Sequence, residues 1–117
     1  MNDSNTTIAD LKALMERFVA ERAWQPFHDP KNLSASIAIE AAELMEHFQW
    51  LRSDQLESLP GDAEKMAAIG EELADVFGYV LSFANRMNID LASTLKTKME
   101  KNARKYPPEQ FRGRYRT

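Results

Sequence analysis

Apolar residues recur along the chain in four runs of helical period. In the first, Ile8, Leu11, Leu14, Met15, Phe18 and Val19 share one stripe, which predicts a helix from Ile8 to about Arg22. Thr7 is its candidate N-cap, with Asp10 as capping-box partner at the third helical position. The second run is Leu33, Ile37, Ala41, Leu44, Met45, Phe48 and Leu51. It predicts a helix from Leu33 to about Leu51, capped by Asn32. The third is Met66, Leu73, Val76, Phe77, Val80, Leu81 and Ala84, a helix from near Asp62 to about Met87. Gly70 and Gly78 weaken it locally and permit close packing. In the fourth, Leu91, Leu95 and Met99 predict a helix from Leu91 to about Lys105, capped by Asp90 and stopped by Pro107 and Pro108.

The intervals are distinctive in composition. Residues 1–6 are polar and expected to fray. Ala23 to Lys31 carries Trp24, Phe27 and His28 among two prolines. Such a loop either packs over the end of the core or forms a pocket wall. Arg52 to Asp62 reads as a linker with a short helical turn from Asp54 to Leu59. The expected architecture is therefore all-α and four-helix bundle-like, in a single domain over 1–117 with its core at about 7–107. Residues 109–117 form a basic tail with Arg112, Arg114 and Arg116, either disordered or lying over a partner subunit.

Polar residues interrupt the apolar runs in a pattern of their own. Glu40 and Glu43 stand three residues apart inside the second helix, within roughly 60° of each other around its axis. Glu72 and Asp75 repeat that spacing inside the third. Two such helices set face to face make a cage of four carboxylates, and mutually repelling carboxylates call for a cation. Aromatic residues share these faces. Trp50 falls within roughly 20° of Glu43 on the helical wheel, and Tyr79 and Phe83 follow Asp75 along its face. His47 lies on the same side, where a lone His beside two Glu is more often a hydrogen-bond partner than a ligand. On the fourth helix Lys98, Asn102 and Lys105 form a cationic stripe, which by itself reads as a solvated face.

Composition narrows the chemistry. The chain has 117 residues, a net charge of −3 and no cysteine. The charge gives no sign of a nucleic-acid polymer as partner, and thiolate chemistry and Cys-based metal sites are excluded. No apolar run has the length of a membrane span and the polar start lacks a signal-peptide core, so a cytoplasmic protein is expected. All-oxygen ligation suits Mg²⁺, with Mn²⁺ as the alternative, and Mg²⁺ suits phosphate substrates. A di-iron bundle would need Glu-x-x-His motifs, and neither His28 nor His47 follows a Glu at that spacing.

Glu40-x-x-Glu43, 28 residues, then Glu72-x-x-Asp75 resembles the signature of the MazG-like, all-α nucleoside triphosphate pyrophosphohydrolases. The likeness is nearest to their dCTP pyrophosphatase branch. It rests on Glu21-Arg22-x-Trp24-x-x-Phe27-His28-x-Pro30-x-Asn32-Leu33, on Phe48-Gln49-Trp50, on Glu71-Glu72-Leu73-x-Asp75-Val76 and on Lys98-Met99-x-Lys101-Asn102-x-Arg104-x-Tyr106-Pro107. His47 stands where relatives mostly carry an apolar residue. The resemblance implies Mg²⁺-dependent hydrolysis of dCTP or modified dCTP between the α- and β-phosphates, giving monophosphate and pyrophosphate. It implies that Glu40, Glu43, Glu72 and Asp75 bind the metal, with Glu43 the one that orients or deprotonates the attacking water. It assigns Trp24, His28, Trp50 and Tyr79 to the base and sugar, and Lys98, Asn102 and Tyr106 to the phosphates. It also implies a homo-oligomer, dimer or tetramer, with sites shared between subunits. The rival readings are a broad nucleoside triphosphate pyrophosphatase and a non-catalytic helical oligomerisation module.

Overall fold

The computed structural model describes residues 1–114, and every regular element among them is helical. In order these are α1 (Ile8–Glu21), a 3₁₀ turn (Gln25–Phe27), α2 (Pro30–Glu46), α3 (Ser53–Ser58) running into a second 3₁₀ turn (Leu59–Gly61), α4 (Ala63–Met87), α5 (Leu91–Lys105) and α6 (Pro108–Phe111). Arg116 lies outside the described residues.

Two of the three caps named from the sequence, Thr7 and Asp90, are present, and the third helix starts at Asp62 as expected. Thr7 Oγ1 accepts from the Asp10 backbone N–H at 3.1 Å, and Asp10 Oδ2 accepts from the Thr7 N–H at 2.9 Å. Asp62 receives the Lys65 N–H and Asp90 the Ser93 N–H in the same way. The second helix differs at both ends. Its cap is Asp29, which receives the Asn32 N–H at 2.8 Å, and Pro30 occupies its first turn. A proline there loses no hydrogen bond, because the first N–H groups of a helix have no intrahelical partner. At the other end the α-helix stops at Glu46. Phe48 N–H bonds to Met45 O and Leu51 N–H to Phe48 O, a run of tight turns that takes the chain off the helix axis. The tail also departs from expectation, with Pro108–Phe111 closing one further helical turn.

α1 and α4 end alike. Ala23 (φ 52°) and Asn88 (φ 54°) adopt the left-handed conformation. Around Ala23, the Trp24 N–H reaches Val19 O and the Ala23 N–H reaches Ala20 O, both at 3.0 Å. Around Asn88, Ile89 N–H reaches Ala84 O at 2.9 Å. These are Schellman closures, which satisfy last-turn carbonyls.

α4 is the central element, with α2 and α1 packed against it. The core is Leu33 of α2, Val19 of α1, Leu81 and Ala84 of α4, and Leu59 of the 3₁₀ turn. α1 is also fixed to the end of α4 by two hydrogen bonds. Lys12 Nζ donates to Ile89 O and Asn85 Nδ2 donates to Lys12 O, each at 2.8 Å. Gly78 approaches α1 as expected, a Cβ there standing 3.5 Å from Met15 Cε, whereas Gly70 faces open space.

Much of the periodic apolar surface stays uncovered within one chain. Met45, Met66, Leu73, Phe77, Leu95 and Met99, all expected to be inward, are exposed. α5 makes no extensive packing with another element among the described residues. The chain exposes 9367 Å², against about 6,500 Å² for a compact monomer of its mass. Its radius of gyration is 17.5 Å, against about 13 Å for a globule of this length. Periodicity marks a face that meets another element, and several of these faces meet none in their own chain.

Candidate functional site

The packing of α2 on α4 brings Glu40, Glu43 and Glu72 together. One carboxylate oxygen of each lies within 4.8 Å of the others. The cause is the three-residue spacing on α2, which aims both glutamates at the α4 face that carries Glu72. Glu40 Oε2 and Glu72 Oε2 are sealed from solvent and have no hydrogen-bond partner. Glu40 is pushed up to about 7, first by the hydrogen bond its protonated form makes with Glu43, then by burial, then by repulsion from Glu43, Asp75 and Glu72. Burial and then the Glu43 charge raise Glu72 as well, with His47 opposing.

Unpaired buried carboxylate oxygens are costly, and a hard divalent cation is the partner an all-carboxylate donor set fits. These residues therefore fit Mg²⁺ or Mn²⁺. Asp75, one turn beyond Glu72, stands outside the three-carboxylate group and is exposed, although its charge reaches both Glu40 and Glu72.

The raised Glu40 has a testable consequence. Its folded state holds a proton more tightly than the unfolded chain does. Its contribution to stability is thus present below the ordinary carboxylate range and lost as pH rises through about 7. Metal-free wild type is expected to lose thermal midpoint relative to Glu40→Gln as pH rises from about 5 to about 8. At the upper pH, millimolar Mg²⁺ should raise the wild-type midpoint and raise that of Glu40→Gln less, because an ion held only by the folded state shifts the equilibrium by mass action. Melting curves with chelator and with Mg²⁺ check both. A wild-type midpoint indifferent to Mg²⁺ would contradict the cation assignment.

Asp75 borders a cavity of about 370 Å³ between α1, the aromatic loop and α4, lined also by Phe18, Trp24, His28, Gly78 and Tyr79. A relay of rings crosses it. Phe18 and Trp24 are edge-to-face at 5.8 Å, Trp24 and His28 lie 6.5 Å apart, and His28 and Tyr79 lie 6.4 Å apart. These separations are within the range of aromatic contact. The loop is a wall rather than a lid on the core, since Trp24 is 42% and Phe27 65% exposed. His28 also borders a second cavity, of about 270 Å³, with Gln25, Ser82 and Asn85.

The other expected site residues are not brought to this place by one chain. Trp50 is 85% exposed on the turns after α2, so its helical-wheel relation to Glu43 does not hold. Lys98 sits on an open face of α5 with Thr94 and Lys101. Asn102 Nδ2 donates weakly to Met99 Sδ, and Tyr106 packs edge-to-face on Phe111 at 5.1 Å. Two contributors were read from the sequence as packing positions only. Phe18 reads there as core, yet it carries Arg22 over its ring at 3.7 Å and opens the aromatic relay. Gly78 leaves the cavity floor bare one turn beyond Asp75.

The MazG-like family model matches residues 35–115, which include all four acidic positions and α5. This chain belongs to the MazG-like family. Among its MazG-like relatives, dCTP pyrophosphatase 1 of Bos taurus is 36% identical over 110 residues, covering 94% of this chain and 65% of that protein. The human dCTP pyrophosphatase 1 is 38% identical over 101 residues, covering 86% of this chain and 59% of its own length. The chain thus spans less than two thirds of these relatives. A crystal structure of a pyrophosphatase from Archaeoglobus fulgidus superposes with a TM-score of 0.77 at 38% identity, over 92% of this chain and 98% of that one. The all-α MazG-like fold is common to both. No helix among the described residues is long and apolar enough to cross a membrane.

Proposed function

We propose that this MazG-like chain is a cytoplasmic nucleoside triphosphate pyrophosphohydrolase. It cleaves between the α- and β-phosphates to give a monophosphate and pyrophosphate, and it favours dCTP and modified dCTP. The observation that carries the reading is the continuity of two features along α4. Glu72 belongs to the carboxylate group, Asp75 borders the aromatic cavity, and Tyr79 lies one turn further on. A triphosphate with its base in the cavity would run its phosphates toward the carboxylates. The names of the curated relatives and of the archaeal structure support the same reading.

Glu40, Glu43, Glu72 and Asp75 would hold Mg²⁺, or Mn²⁺ in its place. When bound, the metal neutralises phosphate charge and lowers the pKa of water. Glu43 is the residue we assign to orienting the attacking water or taking its proton. Trp24, His28 and Tyr79 hold the base and sugar, with Trp50 as a further stacking surface. Lys98, Asn102 and Tyr106 bind the phosphates in a homo-oligomer, dimer or tetramer, in which α5 of one subunit completes the site of another. The active unit is a single domain, with its core at residues 7–107.

Base choice follows from the same assignment. Stacking is worth about 1–3 kcal/mol per base and tolerates any base, whereas an unpaired edge group discriminates. Trp50→Ala is expected to lower kcat/KM for every nucleotide, by about 5-fold or more. His28→Ala should mainly erode the preference for cytosine. The measurement is kcat/KM for dCTP, dTTP, dUTP and dATP with wild type and both variants. Wild type that prefers dATP overturns the dCTP assignment, and a chain that releases no pyrophosphate from any nucleotide with Mg²⁺ overturns the enzyme reading.

A further inference from the structure

The second cavity, of about 270 Å³, shares Met15, Val19 and His28 with the aromatic one as lining, so the two adjoin. Its most buried polar residue is Ser82 of α4, 5% exposed. Ser82 follows Asp75 by seven residues and Tyr79 by three. It therefore stands within about 20° of Asp75 around the helix axis and about 10 Å further along. One stripe of α4 thus passes from the carboxylates, along the aromatic cavity, to this one. Ser82 Oγ is sealed and has no hydrogen-bond partner among the described residues, and a buried hydroxyl left unpaired is costly. It turns among staggered positions about a single side-chain bond, so a group in the cavity can engage it. Asn85, one turn on, borders the same cavity. Its Nδ2 donates to Lys12 O at 2.8 Å, which fixes the amide and leaves Oδ1 as an acceptor. The charged residues that border the cavity, Glu16 and Arg86, are exposed.

We propose that this second cavity receives a hydroxyl- or amino-bearing substituent on the base of the nucleotide, with Ser82 as the specificity-determining residue that hydrogen-bonds it. The inference rests on the pyrophosphohydrolase reading, with the base in the aromatic cavity. Volume favours a substituent over a bare ring edge. The cavity is several times the roughly 30 Å³ that one water takes up in the liquid, and a bare edge offers it only single polar atoms. The donor chemistry follows from Asn85 Oδ1, which only accepts, and from the Ser82 hydroxyl, which both donates and accepts. On cytosine, C5 lies on the same edge as the amino group. A hydroxymethyl group at C5 supplies the donor, whereas a methyl group there takes up space and leaves Ser82 unpaired.

The test uses the full chain with Mg²⁺ and follows pyrophosphate release from dCTP, 5-methyl-dCTP and 5-hydroxymethyl-dCTP. In wild type, kcat/KM is expected to be about tenfold higher for the hydroxymethyl than for the methyl nucleotide. In Ser82→Ala and Ser82→Val that ratio should fall to about one. A merely structural hydroxyl would, when removed, lower all three values together and keep the ratio. Wild type that turns over dCTP but treats the two modified nucleotides alike overturns the inference and leaves the pyrophosphohydrolase reading intact. A ratio that survives in Ser82→Ala does the same. Release from none of the three nucleotides overturns the cytosine-nucleotide reading on which the inference rests. The wild-type ratio needs no variant, so the inference stays falsifiable even if one fails to fold.

Discussion

Glu43→Gln and Asp75→Asn are each expected to lower pyrophosphate release by at least about 100-fold while the helical circular dichroism stays unchanged. Glu43 shares the three-carboxylate group with Glu40 and Glu72. Asp75 lies outside that group, but it is the acidic residue that also borders the aromatic cavity. Neither carboxylate caps a helix, and the apolar core of Leu33, Val19, Leu81 and Ala84 is complete without them. Removing one charge from a repelling set should if anything stabilise the metal-free chain. Near-wild-type turnover in either variant would sink the assignment of all four acids to one catalytic centre.

The second large effect concerns assembly. Wild type is expected to scatter light as a dimer or tetramer, and Leu95→Glu combined with Met99→Glu to shift it to monomer and lower its thermal midpoint. Leu95 is 63% and Met99 55% exposed, in register along α5. The surface the chain shows beyond that of a compact monomer is about 2,900 Å², the scale of an obligate interface. Two carboxylates on that stripe would have to be desolvated without partners for the interface to form. A strict monomer at working concentration in the wild type would contradict both the assembly and any site completed by α5 of a neighbour.

Helix existence and most caps were legible in the sequence, because period and capping chemistry are local. The caps Thr7 and Asp90 and the helix start at Asp62 illustrate it. The miss at α2 is local too. Asp29-Pro30 reads as loop punctuation when Pro is taken as a breaker, yet it is a good start for a helix. The early end at Glu46 was hidden, since Phe48 and Leu51 continue the apolar period past the point where the backbone turns. The carboxylate group was visible as a repeated spacing, and the pairing of α2 with α4 realises it for three of the four acids. What no spacing could show is which apolar stripes close within the chain. Leu33 and Leu95 look equally inward in the sequence, but of the two only Leu33 is buried within this chain.

One methyl group sets how the aromatic wall leaves α1. The left-handed position that closes this helix is the one glycine usually fills, and here it is Ala23. A Cβ in that conformation costs roughly 1–2 kcal/mol, and the cost falls on the residue directly before Trp24. Ala23→Gly would remove it at the expense of a freer unfolded chain, whereas a β-branched residue would push the dihedral out of the left-handed basin. The Trp24 N–H would then lose Val19 O, and the ring relay from Phe18 to Tyr79 would lose its anchor. Position 23 is thus a handle on cavity shape that touches neither cavity nor carboxylates: a backbone angle, tunable by side-chain branching alone.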